Sequence, residues 1–251
     1  MNIKTLQLAS DCTLLYVGKD KKAGPLPALF YFALSAEDSL GKDPYNQLVS
    51  HLSFLPLRIF SLTLPAHEKG LPPEKALTTW AKAFAEGRDV LSPFFDRAHR
   101  ALTSLIEENW IAPGRLAVAG LSRGAFVAAH LAARCPEVAT LLGFAPLISL
   151  AKASEFSALA TDPLVLALDL HQLAPDLYNR NIRFYSGNND RRVGTEHAFS
   201  FINTLAQEAE RHRIRSSPIE LIIGTSVGYQ GHGTPPARFQ SGARYLEGFL
   251  L

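Results

Sequence analysis

Short apolar bursts of strand length alternate along the chain with longer stretches whose apolar residues recur at helical spacing. Such alternation predicts parallel strands joined by crossover helices. "TLQLA" (5–9) and "TLLYV" (13–17) predict an N-terminal hairpin, and "ALFYFAL" (28–34), "LRIFSLTL" (57–64) and "RLAVAGL" (115–121) predict buried strands. "ATLLGFA" (139–145), "IRFYSG" (182–187) and "IELIIG" (219–224) bring the expected sheet to eight strands. All are rich in branched or aromatic residues, as buried strands require.

Between them, Glu74 to Glu86 follows a Pro-Pro start and stops at Gly87, the usual punctuation of a helix. From about Phe94 to Trp110, Phe95, Ala98, Leu102, Leu105 and Ile106 share one face, while Arg97, Arg100, Glu107 and Glu108 fall mostly on others. Arg123 to Arg134 is alanine-rich and stops before Pro136. Two further helices are expected, from about Thr195 to Arg213 and from Pro236 to the C-terminus. Residues 149–180 separate two strands by more than a simple crossover needs, and read as a short cap or lid. No repeat, low-complexity tract or linker divides the chain, so residues 1–251 are expected to form one domain carrying that insertion.

Composition narrows the possibilities. A chain of 251 residues, 47% of them hydrophobic, can bury a full core. Its formal net charge of +2 and its scattered basic residues leave no nucleic-acid footprint. Cys12 and Cys135 lack metal-site spacing and suit a reducing compartment. The N-terminal apolar bursts are broken by Lys4, Gln7 and Asp11, so neither a secretory leader nor a membrane span is expected, and the protein reads as cytoplasmic. "GYQGHG" does not fit dinucleotide spacing and no phosphate loop is present, so no nucleotide cofactor and no metal are expected. Nothing in the pattern specifies an oligomeric state.

The candidate chemistry begins at Gly120-Leu121-Ser122-Arg123-Gly124, which joins a predicted buried strand to a predicted helix. A tight turn there strains the serine backbone and lifts its hydroxyl above the strand's C-terminal end, and side chains at 120 and 124 would collide across it. The next helix opens with N–H groups lacking intrahelical acceptors, so the Arg123 N–H can hold the negative oxygen of a tetrahedral intermediate. A bland alternative is a serine that merely caps the helix. A serine nucleophile needs a base. His232, between Gly231 and Gly233 after the last strand, lies in a loop able to bring an imidazole over the sheet edge. His67, after the 57–64 strand, is the runner-up. The carboxylate that orients the ring is expected to be Asp190, directly after "RFYSGNN", with Asp162 and Asp169 of the insertion as alternatives. The chain order Ser122, Asp190, His232 is that of one fold.

"GLSRGAF", "YSGNNDRRV" and "GHGTPP" followed by "FQSGARYLEGFL" resemble the α/β-hydrolases of the prolyl-oligopeptidase and dienelactone-hydrolase-like group. The resemblance implies a mostly parallel eight-stranded sheet, a Ser-His-Asp triad, and hydrolysis of an ester, thioester or amide through an acyl-enzyme. It does not fix the substrate; a small-molecule acyl substrate and a carboxylesterase-like activity are expected ahead of a peptidase because no propeller or other gating domain accompanies the catalytic one. A peptidase, an acyltransferase and a non-catalytic binding protein on the same scaffold are its rivals. Many members have His-Gly after the third strand, where this chain has Ala33 and Leu34 in "FYFALSAEDSL". The second oxyanion donor is therefore expected from the Leu34 or Ser35 N–H, since any residue but proline has one. Weaker signals assign Arg191 to an anionic substrate group, Tyr229 to the wall beside His232, and Phe156, with Leu164 and Leu168, to acyl selectivity from the lid.

Overall fold

The computed structural model describes residues 2–9 and 12–251, so Asp11 lies outside it. Eight strands form one sheet: β1 (Lys4–Ala9), β2 (Cys12–Val17), β3 (Leu26–Phe32), β4 (Arg58–Ser61), β5 (Ile111–Leu121), β6 (Thr140–Phe144), β7 (Asn181–Gly187) and β8 (Ile219–Gly224). Their order is β1-β2-β4-β3-β5-β6-β7-β8. Pairs β1/β2 and β2/β4 are antiparallel and every other neighbouring pair is parallel. The helices are α1 (Ala36–Gly41), α2 (Gln47–Leu52), α3 (Ala76–Ala85), α4 (Ser92–Glu107), α5 (Arg123–Arg134), α6 (Pro163–Ala167), α7 (Ala174–Leu177), α8 (Thr195–Arg211) and α9 (Pro236–Leu250).

Alternation along the strands sends side chains into two apolar layers. Phe30, Phe32 and Val118 face the layer built with Phe84 of α3, Phe95 of α4, Phe126 of α5 and Phe201 of α8. Leu29, Tyr31, Ala117 and Ala119 face the other, with Leu40 of α1, Leu48 and Val49 of α2, and Phe239 and Leu246 of α9. α1 and α2 have six residues each, too short for a periodic pattern, and no element was expected between β3 and β4. β4 ends at Ser61 rather than 64. Its continuation bends off the sheet, with the Leu64 N–H bonded to the Leu34 carbonyl at 3.2 Å.

Arg58 on β4 is fully buried. Its guanidinium donates to the carbonyls of Lys19 (2.8 Å), Asp20 (2.6 Å), Gly24 (3.0 Å) and Trp110, and lies over the Trp110 ring. Arginine's planar fork spreads its charge over several carbonyl dipoles, so no carboxylate partner is needed.

Residues 149–180 fold as 3-10 turns with α6 and α7 between them. None of them lines the pocket beside Ser122. Phe156 is buried and meets the Phe84 ring at 5.9 Å, Leu168 is buried in the same layer, and Leu164 is exposed. The segment spends its apolar side chains covering the flank of α3, α5 and α8, which corrects the expectation that these three shape acyl selectivity. No helix among the described residues is long and apolar enough to cross a membrane.

Candidate active site

Ser122 stands between β5 and α5 with φ 56° and ψ −116°, a conformation L-residues rarely adopt. Neighbouring backbone holds it there. The Ser122 N–H donates to the Phe144 carbonyl at 2.8 Å, and the Ser122 carbonyl accepts from Leu147 at 3.2 Å and Ala125 at 3.0 Å. Both flanking glycines are sterically required: a Cβ on Gly124 would lie 2.0 Å from the Phe32 carbonyl oxygen, on backbone that cannot yield.

β7 and β8 deliver the other two groups. After β8, a turn over Tyr229–Gly231 presents His232, whose N–H bonds the Tyr229 carbonyl at 3.0 Å. The Gln230 carbonyl accepts from the Arg191 N–H at 2.9 Å, tying this loop to the one after β7. Asp190 is buried there, its Oδ1 accepting from the N–H groups of Arg192 (2.9 Å) and Val193 (3.1 Å). Asp190 Oδ2 meets His232 Nδ1 at 2.7 Å, and His232 Nε2 meets Ser122 Oγ at 2.8 Å. Since an ionised carboxylate only accepts, Nδ1 carries the ring proton and Nε2 is free to accept from the serine. The structure thus brings Ser122, His232 and Asp190 into one hydrogen-bonded chain.

Ser122 and His232 open on a pocket of about 340 Å³. Its walls include Leu34, Tyr45, Pro73, Arg123, Thr234 and Phe239. Tyr45 and Pro73, which come from the β3–β4 and β4–β5 connections, were not expected there, because neither lies in a motif. The Arg123 N–H opens α5 and has no acceptor within the helix. The Leu34 N–H is engaged: it and the Ala33 N–H each donate to the buried Ser39 Oγ at 3.0 Å. Ser35 does not line the pocket; its hydroxyl caps α1 by accepting from the Asp38 N–H at 3.0 Å.

No protein-family model matches the sequence, and no curated protein matches it. Solved structures do match over its whole length. The Thermus thermophilus protein TT1662 superposes with a TM-score of 0.73 at 19% identity, over 100% of this chain and 99% of that one. An acetyl xylan esterase from Paenibacillus sp. R4 gives 0.70 at 15% identity, over 99% of this chain and 88% of that one. With Porphyromonas gingivalis dipeptidyl peptidase 4 the TM-score is 0.67 at 14% identity, over 99% of this chain but 35% of the peptidase. The chain has the α/β-hydrolase fold. In open α/β sheets, ligands meet the sheet at the carboxyl ends of its strands and the loops beyond them.

Several candidate residues lie elsewhere on the molecule. Arg191 lines a separate polar pocket of about 360 Å³ with Lys152 and His197. Tyr229 is 83% exposed and contributes to the site through its carbonyl alone. His67 is buried, with Nδ1 on the Pro65 carbonyl at 2.9 Å and Nε2 on Arg123 at 3.2 Å, and burial above all lowers its pKa to about 4. Asp162 caps α6 through the N–H groups of Leu164 (2.9 Å) and Val165 (3.2 Å).

Asp169 belongs to a second chain of the same order, with Oδ1 at 2.6 Å from His171 Nδ1 and His171 Nε2 at 3.1 Å from Ser200 Oγ. Ser200 lies in the second turn of α8, where backbone N–H groups are spent within the helix and cannot receive an oxyanion. It lines neither of the two pockets above. No group of three or more His, Cys, Asp or Glu among the described residues is placed to hold a metal ion.

Proposed function

We propose that this protein is a serine hydrolase that cleaves a carboxylic ester, or a thioester or amide, through an acyl-enzyme on Ser122. The observation that carries the proposal is the Asp190–His232–Ser122 chain, with contacts of 2.7 and 2.8 Å, ending at a strained serine that opens on a pocket.

In this reading Ser122 Oγ attacks the acyl carbonyl carbon while His232 Nε2 takes the hydroxyl proton. Asp190 fixes the ring tautomer and stabilises the imidazolium. The oxyanion rests on the Arg123 N–H, and the Leu34 N–H joins it by leaving Ser39 Oγ. Collapse of the intermediate breaks the bond to the leaving group, which departs with the proton from His232. Water then attacks the acyl-enzyme, His232 takes its proton, and the acid leaves as that proton returns to Ser122. A pocket of about 340 Å³ is at the small end of the roughly 300–1,000 Å³ range of ligand sites, which favours a small-molecule acyl substrate and a carboxylesterase-like activity.

Labelling with a fluorophosphonate probe, followed by a series of p-nitrophenyl esters of increasing chain length, tests the assignment. Labelling is expected in the wild type and absent in Ser122→Ala. Labelling that survives the substitution removes Ser122 from the role. A wild type that neither labels nor hydrolyses any ester favours a binding protein on the hydrolase scaffold. Product analysis with competing alcohols separates a hydrolase from an acyltransferase.

A further inference from the structure

Arg123 follows the nucleophile in sequence, and its side chain crosses from the start of α5 to the 3-10 turn at Pro73–Lys75. Nη1 donates to the Pro73 carbonyl at 2.8 Å and to His67 Nε2 at 3.2 Å. His67 is suited to receive that bond. Its Nδ1 proton is given to the Pro65 carbonyl at 2.9 Å, which leaves Nε2 as a bare acceptor. The imidazole and the Pro73 carbonyl together fix the direction of the guanidinium.

The rest of the guanidinium has nothing to hold. Among the described residues, Nε and Nη2 have no acceptor and no carboxylate lies within ion-pair distance of Arg123. Glu155, whose charge reaches Arg123, is bonded instead to Arg192. Glu74 is exposed on the pocket wall and makes no ion pair with it. Burial, with Arg192 adding repulsion, lowers the pKa of Arg123. A partly buried cation with no carboxylate in contact is costly, and that cost is offset when an anion enters. Nε and Nη2 form one edge of the guanidinium, the pair that grips a carboxylate through two parallel bonds. Arg123 lines the same pocket as Ser122 and His232.

We infer that the Ser122 pocket takes acyl substrates that carry a carboxylate, gripped by the Nε–Nη2 edge of Arg123. This deepens the serine-hydrolase reading and rests on Ser122 as the nucleophile. The anion-recognition role given to Arg191 from sequence passes to Arg123.

The test compares mono-4-nitrophenyl glutarate with its methyl-capped, uncharged counterpart. The wild type is expected to prefer the carboxylate-bearing ester by about tenfold or more in kcat/KM, as a charge-assisted bidentate contact implies. Arg123→Met brings the ratio to near one, with the loss on the charged ester falling mainly in KM, and Arg123→Lys gives an intermediate ratio. A wild-type ratio near one overturns the inference, as does a ratio that Arg123→Met leaves unchanged.

Fluorophosphonate labelling run in parallel reports on Ser122 separately. If the wild type neither labels nor turns over either ester, the nucleophile assignment falls, and calorimetry with monomethyl glutarate still decides the anion site. Binding to Ser122→Ala protein that weakens about tenfold or more when Arg123→Met is added supports the site, and binding that is absent or unaffected removes it.

Discussion

A Cβ on Gly120 would stand 2.1 Å from the carbonyl carbon of Gly124. The two glycines of the serine turn are in backbone contact, and Gly124 in turn lies against the end of β3. Neither obstacle is a flexible side chain, so relief requires α5 to move away from β3 and β5. Gly124→Ala is expected to lower stability by about 1–3 kcal/mol, the range of an overpacked core, and to abolish fluorophosphonate labelling while the protein remains folded. Thermal melts and labelling measured on one preparation check both. Wild-type labelling in Gly124→Ala contradicts the steric account.

Asp190→Asn probes the tautomer. Arg192 and Val193 donate to Oδ1, so the new amide keeps its oxygen there and turns its NH2 toward His232 Nδ1. Nδ1 must then accept, which places the ring proton on Nε2, where it cannot receive a proton from Ser122. A fall in kcat on the order of 10³–10⁴-fold, with little change in KM or melting temperature, is the expected outcome in ester kinetics.

Ser39 illustrates a polar group whose loss strands its partners. Its Oγ serves two buried N–H groups, of Ala33 and Leu34, at 3.0 Å each. Ser39→Ala is expected to cost about 1–3 kcal/mol for each donor that finds no new partner. Urea unfolding should show a lower midpoint with an unchanged slope. An unchanged midpoint would mean that both donors find other acceptors.

Two histidines give the fold an acid sensitivity. His130 lies flat on Phe95, with ring centroids 4.3 Å apart and 12° between planes, and its Nε2 meets the Leu168 carbonyl at 3.0 Å. Burial, then the Arg134 charge, lowers its pKa to about 3, and burial lowers that of His67 to about 4. Both stay neutral in the folded protein at pH values where the unfolded chain, with an ordinary value of 6.5, takes up protons. The unfolded state therefore binds more protons below 6.5. Stability is complete above that pH and declines as pH falls toward 4, by up to about 1.4 kcal/mol per pH unit for each histidine. Urea midpoints at about pH 8 and about pH 5 should differ in that direction, and less in His130→Gln. An equal difference in the variant would remove His130 from the effect.

Much of the candidate site was legible before folding because its signals are local. A buried strand, a glycine, the serine, a second glycine and an alanine-rich helix are consecutive in the chain, and the helix is observed over Arg123–Arg134 as expected. Asp190 and His232 each follow a strand in a turn-forming context, and parallel strands place such turns at one edge of the sheet. That sheet, with its eight strands, could be read from apolar bursts alone. What the chain could not disclose depends on side-chain direction and on contacts distant in sequence. Whether Phe156 covers the serine or the flank of α3 depends on which surface lacks cover, and α3 did. The engagement of the Leu34 N–H depends on the one-turn return of α1, which brings Ser39 back beneath it. The course of Arg123 depends on His67 and Pro73, some fifty residues away, whose acceptors converge only when the sheet has formed. Sequence determined the elements and their order because backbone preferences and hydrophobic periodicity act within a few residues. Tertiary structure decided the pocket walls, the hydrogen-bond partners and the course of the guanidinium beside Ser122, because those come from packing between separate elements.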